Sequence, residues 1–233
     1  MERHVKITRH VQLLSALVLS EVASPLLAEA HLVARIASII LFGLVCVAVF
    51  RALFATKRRR WIGSTLIGLT LAIDLVRLFA PPGLQTLLDI ALNLSASAFF
   101  VFVLSVIISH VFSTRRLRLD DVVGAFSGYI LIALLWGRLF ALAWLATPHS
   151  FSIHPDIVWQ LNDWNTLHAL FDYYSFTTIS GIGYGNITTT APPSNTLVWL
   201  EVMCGQFYLA VVVSTIVGMK LAEALASPPP ESS

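Results

Sequence analysis

Residues 177–187 read Thr177-Thr178-Ile179-Ser180-Gly181-Ile182-Gly183-Tyr184-Gly185-Asn186-Ile187. They lie between a short amphipathic run and a long apolar one. Glycines at every second position let the backbone take conformations that other residues resist, so successive carbonyls can all point one way. Four such strands around an axis form rings of carbonyl oxygens, which take the place of a cation's hydration shell. The reading of everything else turns on whether the rest of the chain places this stretch at the mouth of a membrane bundle.

Composition says that it does. The 233 residues are 57% hydrophobic and 12% charged, with a mean hydropathy of +0.79. A soluble domain carries about a quarter charged residues. The chain therefore reads as a polytopic membrane protein with no room for a separate soluble gating domain. Cys46 and Cys204 both fall inside apolar runs and look like neither a disulfide nor half of a metal site. No nucleophile–base pair, metal cluster or phosphate loop stands out, so the chain reads as a non-enzyme without a bound cofactor or a nucleic-acid partner.

A helix needs about 20 apolar residues to cross the hydrocarbon core. Six stretches qualify, near 11–27, 32–54, 61–79, 84–112, 122–145 and 196–221. Lys57-Arg58-Arg59-Arg60, Pro81-Pro82-Gly83 and Arg115-Arg116-Leu117-Arg118 separate them. Basic residues mark the cytoplasmic side. Six spans put Arg3, Lys6, Arg9, both basic clusters and Lys220 on that side, with both termini. The loop holding Gly183-Tyr184-Gly185 then enters from outside. The expected organisation is a cytoplasmic N-terminus (1–10), a four-span region (11–112), a cytoplasmic linker (113–121), a two-helix module around the glycine stretch (122–221), and a short disordered tail (222–233). A second reading of the first 30 residues is a signal peptide ending at Ala28-Glu29-Ala30. It leaves five spans and the same outside loop.

The 84–112 span contains no Lys or Arg, so it does not read as a voltage sensor. Glu21, Arg35, Asp74, Arg77 and Asp89 share one layer near the outer ends of the first four spans. They read either as an ion-pair cluster bracing the bundle or as a regulatory site for ligand, proton or lipid. Asp74 and Arg77, three apart on a helix, are placed to pair locally. The outer histidines His31, His149, His154 and His168 read as incidental or as groups that titrate near neutrality. Glu201 and Arg138 stand at matching depths in the last two spans. A charge in hydrocarbon costs several kcal/mol, roughly, unless paired or hydrated, so the two are expected to pair with each other.

The glycine stretch resembles the selectivity filter of the tetrameric potassium-channel superfamily, Thr-Val-Gly-Tyr-Gly-Asp. The chain as a whole is similar to a bacterial group of small six-span, voltage-independent potassium-channel-like proteins. From Val122 onward the likeness includes Gly-Ala-Phe-Ser-Gly-Tyr, Tyr-Tyr-Ser-Phe-Thr-Thr and Cys-Gly-Gln-Phe-Tyr-Leu-Ala-Val-Val-Val. The resemblance implies an all-α membrane protein with a re-entrant pore helix over 166–179, in the bacterial inner membrane. It implies four copies around one pore, with lipid and K+ as the other partners. Ser180, Gly181, Ile182, Gly183, Tyr184 and Gly185 would bind the ion. Tyr173, Tyr174, Thr177, Thr178, Asn186, Glu201 and Arg138 would support them. Gly205, at the hinge position, would bend or pack the inner helix. Gln206, Leu209, Val213 and Val217 would line the cavity, with Leu221 closing an apolar constriction. Two residues depart from the pattern. Gly181 replaces the threonine whose hydroxyl completes the innermost ion site, which bears on selectivity against sodium. Asn186 replaces an aspartate and so removes a charge at the outer mouth. Two alternatives remain on the same fold: a weakly selective monovalent cation channel, and a non-conducting scaffold or sensor.

Overall fold

A computed structural model of the chain describes residues 2–27, 40–50, 56–113, 119–147, 149–158 and 164–226. Arg35, His31, the Ala28-Glu29-Ala30 site and Arg115, Arg116 and Arg118 lie outside the described residues. The protein is built from seven helices and one small two-stranded sheet among those residues. They are α1 (Glu2–Leu27), α2 (Ile40–Phe50), α3 (Lys57–Leu78), α4 (Pro82–Ser113), α5 (Leu119–Ala146), β1 (Phe151–Ile153), α6 (Trp164–Ile179), β2 (Ile187–Thr189) and α7 (Pro192–Ala226). It is a helical membrane protein. Four helices are long and apolar enough to cross a bilayer, over Lys57–Leu78, Pro82–His110, Asp121–Ala146 and Pro192–Met219. Of the first two expected spans, the described residues include the apolar helical stretches His10–Ala23 and Ile40–Phe50. Residues 32–39 and 51–54 of the second fall outside the described chain. α7 runs on to Ala226, through the first residues assigned to the tail, and α5 begins inside the expected linker.

Local sequence explains the helix ends. Thr56 caps α3, its hydroxyl accepting from the Arg59 amide at 3.4 Å. α3 stops before Pro81-Pro82, and α4 and α7 each start on a proline. Proline suits a first helical position because its missing N–H has no partner there anyway.

α5 is the hub, packing against α1, α4, α6 and α7. α3 lies on α4, and Phe42 of α2 meets Phe99 of α4 edge-on at 6.0 Å. Phe99, Phe140 and Phe171 are fully buried. Phe151 of β1 packs edge-on against Phe140, Phe171 and Tyr174, locking the small sheet onto α5 and α6. Because lipid tails are as apolar as leucine, helix association in a membrane rests on close packing and buried polar contacts. Both are present: Gly128 seats the Tyr208 ring, whose hydroxyl donates to the Ala125 carbonyl at 2.7 Å. Gly137 seats Asp172 in the same way.

Candidate functional site

α6 ends at Ile179, and the glycine strand leaves from that end. Ser180 turns its hydroxyl back onto the Phe176 carbonyl at 2.7 Å. The Gly181 amide then bonds the Thr178 carbonyl at 3.0 Å, and the Gly183 amide bonds that of Thr177 at 3.1 Å. Gly181, Gly183 and Gly185 have φ of +77°, +53° and +77°, whereas Ile182 and Tyr184 stay at negative φ. Positive φ at every second residue is a backbone that glycine adopts readily and other residues resist. No neighbouring atom lies within 4 Å of where a Cβ would stand at any of the three glycines. Their φ angles, not crowding, call for glycine. The strand faces open space in a single chain: Ile182 is 57% and Tyr184 67% exposed.

Two supports flank it. Asn186 Nδ2 donates to the Tyr173 hydroxyl at 3.0 Å, and the Tyr173 and Tyr184 rings stack, 6.3 Å apart and 3° from parallel. Beyond Asn186 the chain enters β2, which pairs antiparallel with β1 from Phe151↔Thr189 to Ile153↔Ile187. The His154 amide reaches the Asn186 carbonyl at 2.9 Å, and the Ser194 hydroxyl holds the Ser150 carbonyl at 2.8 Å. Both ends of the strand are therefore anchored to the body of the chain, and the Gly183 amide ties its middle to α6.

Behind the strand, α6 is held by side chains. Tyr174 is buried against Phe140 and Phe151. Thr177 donates to the Tyr174 carbonyl at 2.9 Å, and Thr178 is buried. The Tyr129 hydroxyl of α5 donates to the Ile179 carbonyl at 3.2 Å. Arg138 and Glu201 do not pair. Arg138 forms its ion pair with Asp172 of α6 and contacts His168 Nδ1 one turn away. Glu201, fully buried, takes the hydroxyl of Ser175, which also reaches the Ala133 carbonyl. Each finds its partner on α6 instead, Arg138 on Asp172 and Glu201 on Ser175 three residues further along. His168 is thus a buried partner of Arg138. Asp172 and Ser175 went unnoticed in the sequence, and His168 was singled out only as one of the outer histidines. Their signal was the polar spacing 168, 172, 175 along one face of a helix otherwise read for its apolar residues. In the outer layer, Arg77 pairs with Asp89 across the turn between α3 and α4.

Along α7, Gly205 is buried, whereas Gln206, Val213, Val217 and Leu221 are exposed and Leu209 is half-buried. Only 17% of its most apolar stretch is covered by the rest of the chain.

Over 83 residues, 36% of its length, the chain is 37% identical to the inward rectifier potassium channel Kirbac3.1 of Paramagnetospirillum magnetotacticum. The match spans about a quarter (25%) of that relative. The chain matches no protein-family profile and no solved structure. A segment of this helical membrane protein is therefore similar to part of a bacterial potassium channel.

Proposed function

We propose that the chain is the pore-forming subunit of a homotetrameric, voltage-independent potassium channel of the bacterial inner membrane, with six spans and both termini cytoplasmic. The observation that carries this reading is the alternating φ sign from Gly181 to Gly185. A backbone of this kind can align its carbonyls, and it lies at the end of a helix whose C-terminal dipole favours a cation. In this reading α6 is the re-entrant pore helix, and Gly181–Gly185 coordinate dehydrated K+ through their carbonyls. A single strand cannot encircle an ion, and closed symmetry is the usual solution. The uncovered face of α7 supports assembly, with Gln206, Leu209, Val213 and Val217 toward the axis. The absence of Lys and Arg from α4 supports gating without a voltage sensor. Partial similarity to a potassium channel points the same way.

A weakly selective monovalent cation channel is the second reading. Gly181 offers a carbonyl but no hydroxyl, so the innermost ring has half of its oxygens. Cation flux into liposomes holding the purified full chain, K+ against Na+, tests both. Strong K+ preference supports the first, and equal flux the second. Verified tetramers that pass no ion under any stimulus would favour the non-conducting scaffold.

A further inference from the structure

A cavity of about 160 Å³ lies among α1–α6, away from the glycine strand. A cavity of about 150 Å³ holds a benzene-sized molecule. Its polar wall draws on five helices: Glu21 of α1, Asp74 of α3, Asn93 of α4, Arg138 of α5, and His168 and Asp172 of α6. Its apolar wall includes the rings of Phe42 and Phe100.

The polar wall is incomplete, and its unmet groups are mostly acceptors: the Ser20 and Thr70 hydroxyls that also line it donate to the Leu17 and Leu66 carbonyls of their own helices. Asn93 is fully buried; its amide nitrogen donates to the Asp89 carbonyl of its own helix at 2.9 Å, and its Oδ1 has no partner. Asp172 uses Oδ2 on Arg138, and its Oδ1 has no partner. Glu21 makes no ion pair among the described residues, although Arg138 and Asp172 both act on it electrostatically. Against these acceptors stands one unpartnered donor, Arg138 Nε. An unmet buried acceptor costs about 1–3 kcal/mol, and an unpaired carboxylate in hydrocarbon costs more. Water satisfies the oxygens, but it gains nothing from the two phenyl faces and supplies no counter-charge with which a buried Glu21 carboxylate could ionise. The complement is a molecule with several N–H donors and a positive charge at one end and a small apolar body at the other.

We propose that this cavity is a binding site for a small primary alkylammonium ion, with its ammonium on Glu21 and Asn93 Oδ1 and its alkyl group against Phe42 and Phe100. Asp172 is the link to the rest of the protein, because the same residue fixes α6 to Arg138. Occupancy therefore bears on the helix that carries the glycine strand.

The test is thermal unfolding of the purified full chain in detergent, titrated with methyl-, propyl- and butylammonium chloride at constant ionic strength and pH. The corresponding alcohols serve as neutral controls. The expected result is a saturable rise in Tm with propylammonium that the alcohol does not give. Glu21→Gln should weaken the apparent affinity by about tenfold or more, as befits loss of a charged hydrogen bond. Ala96→Leu, which fills the cavity from α4 without touching a charge, should abolish the response even if Glu21→Gln proves too unstable to measure. No response in the wild type, an equal response to the alcohol, or a response that survives Ala96→Leu would each overturn the proposal. The last places the ion elsewhere, the glycine strand included. Because the readout is binding and not flux, its outcome is independent of whether the chain conducts.

Discussion

Gly205 of α7 lies so close to Ile179 that a Cβ at position 205 would overlap Ile179 Cγ1 and stand 3.0 Å from Cδ1. Ile179 is fully buried, and Tyr129 holds its carbonyl from the other side. Two helices thus clamp the last residue of α6, two positions before the glycine strand begins. A glycine at 205 reads in sequence as either a hinge or a close-packing position. In the structure α7 runs unbroken through it and packs there. Gly205→Ala is therefore expected to lower stability by about 1–3 kcal/mol through overpacking, seen as a fall in Tm. Gly218 is the internal control, because no atom lies within 4 Å of its Cβ position. Gly218→Ala should raise stability by up to about 1 kcal/mol, the helix-propensity difference. Equal effects at the two positions would show that the Ile179 contact is not tight.

The Arg138–Asp172 pair joins the centre of α5 to α6, and both side chains are largely buried. Removing one member of such a pair strands the other charge, at a cost of about 3–5 kcal/mol. Arg138→Met and Asp172→Leu are each expected to reduce the yield of monodisperse protein and lower Tm sharply. The double variant, with no charge left over, should recover most of that loss. If the double variant falls by the sum of the singles, the pair contributes through packing alone.

Four long apolar helices and the unusual backbone of the glycine strand were legible in the sequence because they depend on composition and local spacing. Long apolar stretches with Lys or Arg at their ends mark helices whatever their neighbours are. Gly181, Gly183 and Gly185 announce an unusual backbone by their alternation. What was not legible is where each helix points its polar groups. Arg138 and Glu201 share a depth, but pairing also depends on rotation about each helix axis, which only packing sets. Asp172 therefore took the partner assigned to Glu201, and Glu201 settled on Ser175. The β1–β2 pairing was missed for a related reason. Phe151-Ser152-Ile153 and Ile187-Thr188-Thr189 are too short to show a strand pattern, and only their tertiary pairing makes them one.

Asn186 donates to Tyr173 at the outer end of the strand. In Asn186→Asp the Tyr173 hydroxyl would donate to the carboxylate instead, so the bond is kept with its direction reversed, and charge strengthens it. The substitution also places a negative charge beside the strand. In liposomes it is expected to raise K+ influx at low ionic strength. The gain should disappear near 1 M salt, where the screening length falls to about 3 Å. Tyr173→Phe removes the bond without adding charge and should not reproduce the gain. A gain that persists unchanged in high salt would mean that the strand itself has been reshaped.

Gly181 brings two demands into conflict. The potassium-channel pattern that the chain resembles has threonine here, so Gly181→Thr looks like a restoration of the missing hydroxyl. Yet Gly181 sits at φ +77°, where its amide closes the end of α6 on the Thr178 carbonyl. A β-branched side chain rarely adopts that conformation, and forcing it costs on the order of 1–3 kcal/mol. Space is not the obstacle, since nothing lies within 4 Å of the Cβ position. Gly181→Thr is therefore expected to lower Tm, and Gly181→Ala to lower it less, because both carry a Cβ at positive φ but only threonine is branched. Ile182→Val, at a residue of ordinary φ, should be nearly neutral. The decisive comparison is K+/Na+ flux from the same preparations. If Gly181→Thr is destabilised and no more selective than the wild type, the glycine serves the backbone. If it is as stable as the wild type and more selective, the strand rearranges to a threonine-compatible backbone, and the +77° conformation is not the conducting one.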